Sequence, residues 1–140
     1  MRAAARGGRG SLEGVTARHA ISEIGRKEDG VLEEPAGLPE LREGDALPAD
    51  LLAFYRVCGG LTLQKIRMRV VEPSRLIPLG SGSRYLLAER YDREGERVAI
   101  DLSHDARGRC YEVSDRGDCV APSFTSFLVR LSRDGIYWSS

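Results

Sequence analysis

Lysine is almost missing from this 140-residue chain: of 21 basic residues only Lys27 and Lys65 are lysines, and the rest are arginine. Such a bias follows from GC-rich codons and points to a bacterial source. Net charge is missing too, since 21 basic residues face 21 acidic ones. A general nucleic-acid binder wants a basic surplus to displace the counterions of phosphate, so direct nucleic-acid binding is not expected. No apolar run approaches the roughly 20 residues of a membrane-spanning helix, and no membrane role is expected. Cysteine is sparse and odd in number. Cys58, Cys110 and Cys119 form no Cys-x-x-Cys pair and read as free thiols in a reducing cytoplasm.

Histidine is scarcer still, with only His19 and His104. A zinc site drawn from Asp101, His104, Cys110 and Cys119 matches no standard ligand spacing, and a structural zinc site needs four well-placed ligands. A Ser-His-acid triad has few histidines to draw on, and neither Gly-x-Ser-x-Gly nor Ser-x-x-Lys occurs. Gly80-Ser81-Gly82 begins like a nucleotide-binding loop, but Tyr85 stands where the third glycine belongs and no P-loop lysine follows. Glu94 and Glu96 fall in a turn, not in a cleft that would raise a carboxyl pKa. The expectation is therefore no catalytic residue, no metal and no cofactor.

What remains is ordinary for a globular domain: 41% hydrophobic and 30% charged residues. Residues 1–11 carry Arg2, Arg6 and Arg9 with no acid. They read as a disordered tail or the product of an upstream start codon, with an organelle transit peptide as the third reading. Residues 12–140 read as one domain. Ala17, Ala20, Ile21 and Ile24 share a helical face that ends near Gly25. From Glu28 to Asp50 there are eight acids and one base, Arg42, punctuated by Pro35, Gly37, Pro39 and Gly44. That mixture predicts a loop.

A helix follows Leu47-Pro48, with Leu51, Phe54, Tyr55 and Cys58 on one face and Gly59-Gly60 as a left-handed stop. The period then drops to two. Leu61–Leu63, Ile66–Val71, Arg84–Tyr91, Arg97–Ser103 and Arg109–Ser114 read as strands, the last with Tyr111 and Val113 on one face and Cys110 on the other. The turns Asp92–Gly95, Asp105–Gly108 and Asp115–Gly117 are too short for anything but antiparallel neighbours. Pro122 opens a closing helix with Phe124, Phe127, Leu128 and Leu131 on one face and Gly135 as its stop. The expected fold is α+β: an antiparallel-dominated (mixed) meander flanked by N-terminal helices and a C-terminal helix.

Four landmarks carry a family resemblance. They are Leu47-Pro48-Ala49-Asp50-Leu51-Leu52-Ala53-Phe54-Tyr55, the pair Gly59-Gly60, Leu76-Ile77-Pro78-Leu79-Gly80-Ser81-Gly82, and Val120-Ala121-Pro122-Ser123-Phe124-Thr125-Ser126-Phe127-Leu128. Together, over roughly 47–131, they resemble the SUKH superfamily, which includes the fungal Smi/Knr regulators. Ser83-Arg84 departs from the acid or amide usual after the glycine-rich turn, and Cys58 from the usual polar residue before the glycine pair. The resemblance implies a non-catalytic binding module. Many bacterial members are immunity proteins that bind a toxin domain, often a nuclease, delivered by a competing or sister cell; fungal relatives are regulatory partners.

On that reading two surfaces are candidates for contact with a protein partner. One is the acidic stretch, with Glu33, Glu34, Glu40 and Glu43, suited to a basic nuclease site. Its bland alternative is a solvated linker. The other is the sheet face away from the helices, with Arg84, Glu89, Asp101, Glu112 and Tyr85 or Tyr91. Its bland alternative is the polar side of any half-buried sheet. Tyr137 and Trp138 are either an interface anchor or core packing. Arg116-Gly117-Asp118 reads as a turn. A housekeeping regulator and a small hydrolase or metal enzyme remain as alternatives. Oligomeric state is not legible.

Overall fold

The computed structural model describes residues 22, 30–92, 95–114 and 116–134. The expected tail, the first helix, His19 and the Tyr137-Trp138 pair lie outside them. Among the described residues seven strands run in sequence order and pair only with their neighbours, every pair antiparallel. They are β1 (Gly30–Leu32), β2 (Leu61–Leu63), β3 (Met68–Val70), β4 (Arg84–Arg90), β5 (Arg97–Asp101), β6 (Cys110–Glu112) and β7 (Cys119–Ala121). Helix α1 (Ala49–Val57) lies between β1 and β2, and α2 (Phe124–Asp134) follows β7. The α+β meander is as expected, but no mixed pairing occurs among the described residues.

Alternation explains the layers. Leu61, Leu63, Met68, Val70, Tyr85, Ala88, Val98, Ile100, Cys110 and Ala121 are at most 1% exposed and form one cluster with Leu51, Phe54, Tyr55, Phe124, Phe127, Leu128 and Leu131 from the helices. Phe54 and Phe124 join the two helices edge to face at 5.0 Å, a favoured aromatic geometry. The other sheet face carries Val31, Thr62, Arg69, Glu89, Arg97, Arg84 and Asp101, in register across the strands. Between β3 and β4 a short 3-10 turn (Pro73–Arg75) leads into Ile77–Leu79, which hooks onto β4. Leu86 N donates to Ile77 O and Leu79 N to Arg84 O, both at 2.9 Å.

Three expectations are corrected. The acidic stretch is not all loop, because Gly30–Leu32 forms edge strand β1. Ala121 belongs to a strand, and α2 starts only at Phe124, where Ser123 Oγ accepts from Ser126 N at 3.0 Å, a normal N-cap bond. Gly59-Gly60 is not a left-handed helix stop. Cys58 already leaves the helix in extended backbone, φ −153°. Gly59 is small for another reason: a Cβ there would run into the Glu34 carbonyl.

Candidate partner-binding surface

The acidic segment is pinned at both ends. At its start Glu33 N donates to Gly60 O at 3.0 Å, and Gly59 N to Glu33 O at 2.9 Å. At its end a polar clasp closes on the sheet. Tyr85 Oη accepts from Arg42 N at 2.7 Å and donates to Asp45 Oδ2 at 2.9 Å. Ser83 Oγ donates to the other Asp45 oxygen at 2.7 Å, and Arg42 Nη1 to Gly82 O at 2.7 Å. Ala46 N donates to Leu102 O at 3.1 Å. Burial pushes the Tyr85 phenol above its ordinary value, so it keeps the proton that Asp45 accepts. The stretch is therefore tied to the fold at both ends, and it holds Glu33, Glu34, Glu40 and Glu43 exposed.

Tyr85 itself leaves the candidate surface. It is 0% exposed, because its register partner Ile100 faces the helices. Glu112 leaves the open face for the same kind of reason. It pairs with Val98, on the helix side, while Tyr111 pairs with Ala99 on the other. Tyr111 and Cys110 do lie on opposite faces as expected, but Cys110 is the inward one, and Glu112 shares its side, since a shift of one residue exchanges the faces.

The other candidates lie on the open face but are already engaged. Arg75 Nη1 meets Glu89 Oε2 at 2.6 Å. Arg84 lies 3.9 Å from Asp101, and its guanidinium sits over the Tyr111 ring, 3.6 Å from the centroid. Asp101 Oδ1 also accepts from Ser103 N at 2.9 Å. Tyr91 is 40% exposed and lies 5.6 Å from the Arg69 guanidinium.

Sequence reasoning missed Arg69 and Arg97, which make this face richer in arginine. The signal was the alternation Arg67-Met68-Arg69-Val70, whose arginines must face away from its apolar residues. Arg69 Nε is buried without a hydrogen-bond partner, a costly state for a guanidinium donor. Also missed was an apolar cleft of about 440 Å³ beside the acidic segment, lined by Leu38, Pro39, Pro73, Leu76 and Ile77 with Glu40.

His104 is exposed in a turn. Burial raises the Cys58 and Cys110 thiols above their ordinary values, which keeps them protonated and weakly nucleophilic. Among the described residues no three His, Cys, Asp or Glu side chains converge as metal ligands, and no helix is long and apolar enough to cross a membrane.

Charged and aromatic side chains on an open sheet face beside a cleft with exposed aliphatic groups are the kind of surface a binding protein presents. The chain is similar to the immunity protein YokJ of Bacillus subtilis (strain 168). The two are 29% identical over 141 residues, covering 84% of each chain. No family model and no solved structure matches.

Proposed function

We propose that this protein is a cytoplasmic, non-catalytic immunity protein of SUKH type, which neutralises a cognate toxin domain by covering its active site or substrate groove. The likeness to an immunity protein along 84% of both chains carries the reading. The SUKH-like landmarks at 47–55, 76–82 and 120–128 support it, since here they form α1, the hook onto β4, and β7 with the start of α2. A nuclease is the toxin class we favour. Its phosphate-binding site is basic, and the fixed carboxylates Glu33, Glu34, Glu40 and Glu43 face solvent, ready to attract it. Occlusion needs slow dissociation, which comes from a few buried anchors inside a charged rim.

The test is co-expression with the toxin-like product of the neighbouring gene, followed by pull-down. The expected outcome is restored growth and a stable one-to-one complex. Continued killing, with no complex recovered, would remove the proposal.

A further inference from the structure

The cleft between the acidic segment and the 3-10 turn joins two features that rarely meet by accident. Leu38 is 55% exposed and Ile77 is 50% exposed, and both line it, with Pro39, Pro73 and the buried Leu76 beneath. Large aliphatic side chains held half in water on fixed backbone are candidates for burial against a partner. Val31 and Leu32 of β1, 44% and 48% exposed, lie in the same stretch of chain. The same stretch interleaves these residues with Glu33, Glu34 and Glu40, all exposed.

Two arginines close in sequence to the cleft residues are held by other groups. Arg42 is turned onto the Gly82 carbonyl at 2.7 Å, and Arg75 onto Glu89 at 2.6 Å. No ion pair joins Glu33, Glu34, Glu40 or Glu43 to another described residue. The cleft thus sets Glu40 beside aliphatic side chains, with Glu34 and Glu43 exposed on the same segment, the complement of a chain segment carrying an aliphatic or aromatic side chain between cations.

We infer that the cleft at Leu38 and Ile77 is an anchor pocket for an extended basic segment of the partner, one apolar side chain entering it while flanking arginines or lysines meet Glu34 and Glu40. This deepens the reading of the protein as a binding module: the carboxylates set the rate of encounter, and the cleft sets how slowly the complex comes apart. An apolar anchor in a desolvated pocket dominates dissociation, whereas rim charges act on association and its salt dependence.

The probe is a short fluorescent peptide of arginines with a central leucine pair, titrated into the full chain by anisotropy. Two further peptides replace leucine by serine or arginine by glutamate. The expected result is saturable one-to-one binding of the first peptide only. Leu38→Ser and Ile77→Ser should each weaken it about tenfold, and Glu34→Gln with Glu40→Gln should flatten its salt dependence. Both apolar positions are half exposed, and an unchanged melting curve shows that each variant folds.

Absence of saturable binding, equal binding to the Leu38→Ser protein, or equal binding of the glutamate peptide overturns the inference. So does concentration-dependent dimerisation that Ile77→Ser abolishes, since the cleft is then a contact between copies. No toxin enters this assay. If the neighbouring toxin is neutralised while the peptide fails, the cleft assignment falls and the immunity reading stands; the reverse result removes the immunity reading and leaves the cleft.

Discussion

Asp50 sits where two helix starts meet. Its Oδ2 accepts from both Thr125 N and Thr125 Oγ1 at 2.9 Å, and its Oδ1 from Leu51 N at 2.9 Å. Only 7% exposed, it is the one buried charged residue among the described residues. A carboxylate favours a helix N-terminus because free N–H groups and the helix dipole converge there. Here the carboxylate of α1 serves the first turn of α2, 75 positions away. Asp50→Ala leaves buried donors without partners, and we expect a loss of about 2 kcal/mol of stability in urea denaturation, the size of a strong cap combined with an unmet donor. Asp50→Asn, which keeps an acceptor oxygen, should recover part of it. At this scale the sequence was half legible. Asp50 was readable as complementing its own helix; its bonds to α2 were not, because they exist only once the two helices pack.

The element whose placement is least obvious is β1. Its three residues sit at the edge of the sheet, and Val31 and Leu32 are largely exposed. Little apolar burial holds it, so its attachment depends on the ladder to β2 and on the contact at Gly59, where the Glu34 carbonyl occupies the space of a Cβ. Gly59→Ala must push that carbonyl away. We expect faster amide exchange in residues 30–34, with α2 amides unchanged, measured by hydrogen exchange. Composition pointed the wrong way for this element, since acids, glycines and prolines over Glu28–Asp50 do describe a loop for most of the stretch. Edge pairing needs few residues, and a three-residue strand leaves no periodic trace. By contrast, α2 was legible down to its buried face, because Phe124, Phe127, Leu128 and Leu131, all 0% exposed, repeat at helical spacing.

At the scale of the whole fold, zero net charge hides a separation among the described residues. Carboxylates project from the segment at 33–43, while arginines gather on the open sheet face, where Arg75 and Arg84 each lie against an acid. Long-range steering of a charged partner depends on this arrangement and not on the total. If the proposed function holds, replacing Glu33, Glu34, Glu40 and Glu43 by glutamine should slow association with the partner at low ionic strength by about tenfold. The dissociation rate should change little, as read by stopped-flow fluorescence across a salt series. A rate unaffected by salt in the parent protein would show that the segment plays no part in steering.

The order of the central strands, the two helical faces and the short Asp-to-Gly turns were set by local patterning, since period, turn chemistry and apolar spacing act over a few residues. Which polar groups became surface was decided elsewhere. Tyr85 could face either way until its register with Ile100 turned it inward to clasp Asp45, and Glu112 changed faces by a single position. Such choices depend on partners tens of residues away, and only packing brings those partners within reach.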